Sequence, residues 1–192
     1  LKVQDQQELP FIFKVENDSL ITIFNADEQI IVDEITYKND SVTIKLPAFE
    51  GYLVAKINKS GLLGSFIKPS LDRVVPFKAT KNSVRFLSNE NANVNITGNW
   101  ETVFSANSET DSYIAKGIFN QKENKVTGTF RTTTGDYRYL EGIMDGDSLK
   151  ISTFDGAHAF LFTAKASDST LNGFFYSDNH WKEPFTAKLN ND

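Results

Sequence analysis

The feature that most constrains the fold of this chain is an internal repeat. Residues 39–81 resemble residues 146–190 at a series of matched positions. The matched residues are Asp40 and Ser41 with Asp147 and Ser148; Phe49, Glu50 and Gly51 with Phe154, Asp155 and Gly156; Gly64 and Phe66 with Gly173 and Phe175; and Pro76, Phe77 and Ala79 with Pro184, Phe185 and Ala187. The separation of matched residues stays between 105 and 109 positions. Because chance matches would not keep so steady a spacing, we interpret the chain as two copies of one unit.

Both copies consist almost entirely of strand patterns. Short runs rich in β-branched and aromatic residues alternate with polar residues, as in SLITIFN, SVTIKLP and HAFLFTAK, and this alternation is typical of strands. Clusters such as NKSG and DGDS separate the runs and favour turns. The sequence therefore predicts an all-β fold, an antiparallel up-and-down meander with little or no helix. Because closure protects strand edges, we expect barrel-like, lipocalin-like units.

The polar stretch LSNENANVNITGN separates the two copies. It predicts a first β unit over residues 1–90, a linker over 91–98 and a second β unit over 99–192. Two separate barrels and one merged barrel both remain open. Since proline cannot donate to a strand ladder, Pro76 and Pro184 are expected at a bulge, a strand start or an edge.

Composition excludes several classes of function. The net charge is −5 and lysine and arginine are scattered, so nucleic-acid binding is not expected. No apolar run reaches the roughly 18 residues of a transmembrane segment. The chain has no cysteine, so disulfides, thiolate catalysis and iron–sulfur clusters cannot form from these residues. No cofactor is predicted.

The stretch GTFRTTTGDYRYLEG contains the first group of candidate site residues. If residues 136–141 form a strand, alternation places Asp136 and Arg138 on one face and Tyr137 and Tyr139 on the other. In a functional interpretation Arg138 would bind an anion inside a ligand cavity. In a structural interpretation Arg138 pairs with a neighbouring carboxylate while the tyrosines cover the core, and the pattern favours this second alternative.

The stretch FDGAHAFLF contains the second group. Its Asp155-Gly156 dipeptide predicts a hairpin turn, and alternation then places His158 and Phe160 on one face. A lone histidine on an aromatic stripe is usually a packing residue. This stretch and GDYRYLEG are predicted to be adjacent strands.

The remaining candidates are His180 and Trp181, in the loop-like SDNHW. The histidines and carboxylates lack the spacing of known metal motifs, so no metal site is predicted. No nucleophile–base pair or nucleophile elbow is recognisable either, and the chain is not expected to be an enzyme.

Several motifs together resemble a known family. LPF at 9–11, IFNADEQIIVDEI at 23–35, GTFRTTTGDYRYLEG, FDGAHAFLF and FYSDNHWKEPFTAK look like the N-terminal region of TlpA/redoxin-type thioredoxin-fold proteins of the Bacteroidetes cell envelope. The resemblance implies a lipoprotein signal before this region and a C-x-x-C thioredoxin-like domain after it in the same polypeptide. It thus implies a periplasmic, lipoprotein-anchored location and a non-catalytic accessory or docking role for this chain.

A lipocalin-like ligand-binding protein is the alternative. It predicts a cavity for a small apolar or anionic ligand in the second copy. The residues that would line this cavity are Asp136, Tyr137, Arg138, Tyr139, Asp155, His158, Phe160, His180 and Trp181. An independent enzyme is a third and less favoured possibility.

Overall fold

The structure, a computed structural model that describes residues 1–47 and 50–190, is built almost wholly from β-strands. The strands are β1 (Ile12–Asn17), β2 (Leu20–Asn25), β3 (Glu28–Val32), β4 (Glu34–Lys38), β5 (Ser41–Lys45), β6 (Tyr52–Asn58), β7 (Gly61–Lys68), β8 (Arg73–Ala79), β9 (Gly98–Phe104), β10 (Tyr113–Lys122), β11 (Lys125–Thr132), β12 (Leu140–Asp145), β13 (Ser148–Phe154), β14 (Ala159–Ala166), β15 (Thr170–Ser177) and β16 (Trp181–Asn190). Two single-turn 3-10 helices, Gln4–Gln6 and Pro69–Leu71, are the only helices within the described ranges. The predicted all-β antiparallel fold is confirmed.

Internal contacts divide the chain into two compact units. The first unit contains residues 1–85 together with Phe154–Ala159 and Asp178–His180, and the second contains the rest of the described chain. The division falls between Arg85 and Phe86, so the polar stretch 87–97 belongs with the second unit.

The first unit has two sheets. Strands β1-β2-β3 form one sheet and β4-β5-β6-β7-β8 the other, each in sequence order. Inward residues of the five-stranded sheet follow period-two alternation, as the buried Val42 and Ile44 of β5 and the buried Val75 and Phe77 of β8 illustrate.

The second unit is a closed barrel of eight strands. Strands β9 to β16 follow one another around the barrel, and β16 pairs with β9 to close it. Its interior is filled by a cluster of fully buried side chains, of which the bulkiest are Trp100, Phe104, Phe130, Phe162 and Phe185. A barrel of eight strands has an interior wide enough to be filled in this way.

The repeat seen in the sequence recurs in the strand register. Gly64 pairs with Phe77 between β7 and β8, and the matched Gly173 pairs with Phe185 between β15 and β16. A Cβ atom on either glycine would lie about 2 Å from a carbonyl oxygen of the preceding strand, so both positions exclude a side chain for the same reason. The predicted match at Phe49 lies outside the described residues.

Each of the two matched prolines lies at a position where no neighbouring strand is present to accept a backbone N–H, so the missing N–H of proline costs no hydrogen bond. Pro76 is in β8, at the edge of the five-stranded sheet, as predicted. Pro184 is in β16 of a barrel without edges, directly before Phe185, which is the first residue of β16 that pairs with β9 and lies opposite Phe104 at the end of β9. The backbone N–H that Pro184 lacks would therefore lie beyond the end of β9, where that strand offers no acceptor.

One strand prediction is wrong. Residues 133–139 form a loop between β11 and β12, with an isolated bridge between Arg131 and Asp136. The predicted adjacency of GDYRYLEG and FDGAHAFLF is also wrong, because β13 lies between β12 and β14 in the barrel.

No helix among the described residues has the length and apolar character needed to cross a membrane.

Candidate functional site

The residues predicted from the sequence fall into two groups. Asp155, His158 and His180 belong to the first unit. The others, Asp136, Tyr137, Arg138, Tyr139, Phe160 and Trp181, belong to the second.

The DYRY segment is held in a tight turn. The Asp136 carboxylate accepts a hydrogen bond from the backbone N–H of Arg138 (3.0 Å), and Arg138 has a left-handed φ of 63°. A turn in which an aspartate side chain accepts the backbone N–H two residues further on is an Asx-turn, which is common in loops. The N–H of Tyr137 bonds the carbonyl of Phe130 (2.9 Å). As a result Tyr137 packs against the core whereas Tyr139 is half exposed, so the prediction that the tyrosines share a face is wrong.

Tyr137 belongs to a buried polar chain at the barrel core. Its hydroxyl is hydrogen-bonded to that of Tyr113, which donates to Glu183 Oε1 (2.7 Å). Ser105 Oγ donates to the other oxygen, Oε2, at 2.6 Å. Glu183 is only 4 % exposed, so these hydroxyls replace the water that the carboxylate would otherwise bind.

Burial is the main cause that raises the pKa of both tyrosines above the usual value. For Tyr113 the hydrogen bonds to Tyr137 and Glu183 raise the pKa further. For Tyr137 the nearby Glu183 carboxylate also raises the pKa, while the hydrogen bond between the two tyrosine hydroxyls opposes the shift. Both phenols therefore stay protonated and serve as donors. Ser105 contacts the Glu183 carboxylate directly, without an imidazole between them, so these residues do not form a serine–histidine–carboxylate triad.

Sequence reasoning missed Glu183, although a signal for it was present. EPFTA matches VPFKA of the first copy, which places Glu183 at the position of Val75. Val75 is fully buried and its strand alternates inward at Val75 and Phe77. A carboxylate at a matched inward position indicates a buried acid.

Phe160 and Trp181 have different surroundings. Phe160 packs against Tyr137, with ring centroids 5.4 Å apart, and against Phe175 at 5.2 Å. Trp181 begins β16 and remains 43 % exposed. Phe160 is therefore a packing residue, and Trp181 lies on the surface.

The FDGAH segment forms a closed loop that Asp155 organises. Asp155 Oδ1 accepts the N–H groups of Ala157 (2.9 Å) and His158 (2.6 Å), and Oδ2 contacts His158 Nδ1 at 2.9 Å. Gly156 has a φ of 91°, as a turn residue next to aspartate requires. The predicted turn is confirmed, and it orients the imidazole.

The start of this loop is fixed by Asn25 of β2. The Asn25 amide donates to the carbonyl of Phe154 (2.8 Å) and accepts its N–H (3.1 Å), which satisfies both backbone groups of a buried residue. The Phe154 ring stacks on Phe11 (4.2 Å) and meets Phe66 edge-on (5.1 Å). FDGAH is thus anchored at Phe154, its first residue, directly before the turn.

Asp155→Asn is expected to destabilise the chain by about 1 kcal/mol at pH 6, because asparagine accepts the same N–H groups without a charge. Burial by itself would raise the pKa of Asp155, but the bonds from the His158 ring and from the His158 and Ala157 N–H groups lower it overall. The carboxylate therefore stabilises the fold above its unfolded-state pKa of about 3.9, and this contribution is lost as pH falls through the lower folded-state pKa.

Urea unfolding of both proteins at pH 6 and pH 3 measures this difference. The difference in the free energy of unfolding between wild type and variant should be smaller at pH 3 than at pH 6. A difference that is unchanged or larger at pH 3 would show that the charge of Asp155 does not matter.

A second charged cluster lies around Asp178. This carboxylate is 1 % exposed, and its Oδ2 atom contacts Arg73 at 2.7 Å and Lys68 at 3.5 Å. His180 Nδ1 is more distant, at 3.8 Å. Burial is the main cause that lowers the pKa of His180, and the nearby Arg73 lowers it further. The sequence analysis identified His180 but missed the carboxylate and the two cations.

No group of three or more potential metal-binding side chains occurs in the ranges that the structure describes.

Together these observations define an all-β chain with two eight-stranded units. The first is open and consists of two sheets, and the second is a closed barrel. In both units the motif residues chiefly fix loops and fill the core. Comparison with family models, with curated proteins and with solved structures finds no match to this chain.

Proposed function

We propose that this chain is a non-catalytic accessory module of a thioredoxin-like thiol–disulfide oxidoreductase of the cell envelope. In this proposal the redox-active C-x-x-C pair belongs to a separate domain of the same polypeptide. The chain itself has no cysteine, so its own residues cannot take part in thiol–disulfide exchange. Its role would be to position or dock the catalytic domain.

The observation that supports this proposal is the structural use of the motif residues. Tyr137 of GDYRYLEG is bonded within the barrel core, and Asp155 of FDGAHAFLF closes its own loop. The Asp178 carboxylate of SDNH is engaged by Arg73 and Lys68. Motifs that serve packing in this way suit a scaffold better than an active site.

The barrel interior is consistent with the same role. The core cluster fills it with aromatic rings, such as Phe162 stacked on Phe175 at 4.6 Å. A barrel that holds a small ligand instead leaves its interior open. Ligand binding by residues of the second copy stays a prediction.

The test begins with the reading frame on both sides of the 192 codons. We expect a signal sequence with a lipoprotein cysteine upstream and a C-x-x-C domain downstream. Next, reduction of insulin disulfides would be measured for this chain, for the downstream domain and for the full polypeptide. This chain should be inactive, and the full polypeptide should show a several-fold higher kcat/KM than the downstream domain alone.

Two outcomes would contradict the proposal. One is a reading frame without any thioredoxin-like domain. The other is a full polypeptide whose rate and stability equal those of the catalytic domain alone, because an accessory module must change at least one of them.

A further inference from the structure

The first unit contains a large cavity that the proposed function does not use. Its volume is about 1120 Å³, and it lies between the three-stranded and the five-stranded sheet. Phe13 and Ile21 line it from the first sheet, and Val42, Ile57 and Leu62 line it from the second. Sites for small molecules usually have volumes of about 300–1,000 Å³ and mainly apolar walls.

The difference in side-chain size between the two units explains why this cavity exists. In the barrel, the first three strands contribute Trp100, Phe104, Phe119 and Phe130 to the interior. The corresponding sheet of the first unit contributes smaller residues, such as the buried Ile21, Ile23 and Val32. Strand β3 does not pair with β4, and β8 does not pair with β1, so the first unit is also not closed.

Large apolar side chains of the cavity wall remain exposed to solvent. They are Val15, Tyr37, Ile57, Leu63 and Val84, with exposed fractions between 43 % and 61 %. Clustered apolar exposure of this kind marks a surface that another molecule covers. The concave shape between two sheets favours a small molecule over a flat protein surface.

The charges at the cavity indicate the chemistry of that molecule. The charged residues that line it are Lys2, Lys14, Lys78, Lys81 and Arg85, against the single acid Glu8. This excess of cations occurs in a chain whose net charge is −5. Among the residues that the structure describes, Lys14 pairs with Glu16 at 2.7 Å, whereas Lys78 and Lys81 are exposed and have no ion-pair partner.

We propose that this cavity binds a single-chain anionic amphiphile, such as a long-chain carboxylate. Its alkyl chain lies between the two sheets and covers the exposed Val15, Tyr37 and Ile57. Its anionic head group is bound by Lys78 and Lys81. The inference does not depend on whether a redox domain follows this chain.

The test uses three probes that share one alkyl chain: dodecanoate, dodecanol and dodecyltrimethylammonium. Their affinities for the chain are measured by calorimetry, below the micelle concentrations of the two ionic probes and below the solubility limit of dodecanol. Dodecanoate should bind at least about tenfold more tightly than dodecyltrimethylammonium, since like charges repel at the head-group position. Equal affinity for all three probes, or no binding of dodecanoate, overturns the proposal.

Two variants locate the site. Ile57→Trp fills the cavity from an exposed position and should reduce dodecanoate affinity at least tenfold, while Val74→Trp, at an exposed position outside the cavity, should not. An unchanged affinity of Ile57→Trp would place the binding elsewhere and overturn the proposal.

The double variant Lys78→Glu/Lys81→Glu tests the head group. It should weaken dodecanoate binding about tenfold and leave dodecanol binding unchanged. The control Lys116→Glu/Lys122→Glu makes the same change of net charge on β10 of the other unit. Equal weakening by both double variants would mean that the overall charge alone matters, and this result overturns the assignment of the head group.

Discussion

Phe104→Ala is expected to lower the free energy of unfolding of the barrel by about 3–5 kcal/mol, the usual cost of deleting a fully buried phenylalanine ring. Phe104 ends β9 and has no exposed surface. Its ring centroid lies 4.8–6.3 Å from those of six other aromatic residues. They are Tyr113, Phe130, Tyr137, Phe162, Phe175 and Phe185. Removal of the ring leaves a cavity with no nearby side chain that is free to fill it.

The measurement is urea unfolding followed by tryptophan fluorescence. Both tryptophans, Trp100 and Trp181, belong to the barrel unit, so this signal reports on that unit. The matched control is Phe174→Ala on β15. Phe174 is 40 % exposed, and the Lys182 Nζ atom lies 4.2 Å from the centroid of its ring. The control should cost less than about 1 kcal/mol. Equal losses for the two variants would show that the barrel interior is not closely packed around Phe104.

Asp178→Asn is expected to destabilise the first unit by about 2–4 kcal/mol, because it removes the buried charge that compensates two cations. Arg73 and Lys68 contact the same oxygen of Asp178, and their side chains are 17 % and 15 % exposed. This partial exposure lets water solvate the cations in the variant. We therefore expect a loss toward the lower end of the range measured for fully buried pairs.

The matched control for this prediction is Asp147→Asn. Asp147 contacts Lys165 at 2.6 Å, but both side chains are more than half exposed. Exposed pairs of this kind contribute about 0–1 kcal/mol. Hydrogen exchange would measure both variants, at first-unit amides for Asp178→Asn and at barrel amides for Asp147→Asn, because Asp147 and Lys165 belong to the second unit. A loss at Asp178 no larger than that at Asp147 would contradict the prediction.

The additional variant Arg73→Met/Asp178→Asn separates the pair from its individual charges. If the single variant is destabilised because Arg73 is left uncompensated, removal of Arg73 as well should recover part of the loss. No recovery would place the cost in the packing of Asp178 and not in its charge.

The candidate site was only partly predictable from the sequence. Tyr137, Asp155 and His158 were identified from their motifs, and the structure shows what each contacts. The prediction of a strand over residues 136–139 was wrong, because the Asp136 side chain accepts the N–H of Arg138 and stabilises a turn in spite of the alternating pattern of DYRY. Alternation cannot distinguish these cases, since a turn stabilised by a side chain also tolerates aromatic residues.

Other members of the site depend on residues distant in sequence. Glu183 is bonded to Ser105 and Tyr113, which are separated from it by 78 and 70 positions. Asp178 contacts Arg73 across 105 positions. A local pattern contains no information about such partners, so the buried chain of hydroxyls and the buried ion pair emerge only from the tertiary structure.

The sequence by itself determined the strands and the repeat. Period-two alternation and turn residues act locally, so they are readable without the fold, and the matched glycines keep the same register in both copies. The tertiary structure alone decided which copy closes. Closure depends on strand pairing and on the summed volume of inward side chains, and the barrel gains this volume from Trp100, Phe104, Phe119 and Phe130. Smaller residues at the start of the first copy leave its two sheets apart, with a cavity between them.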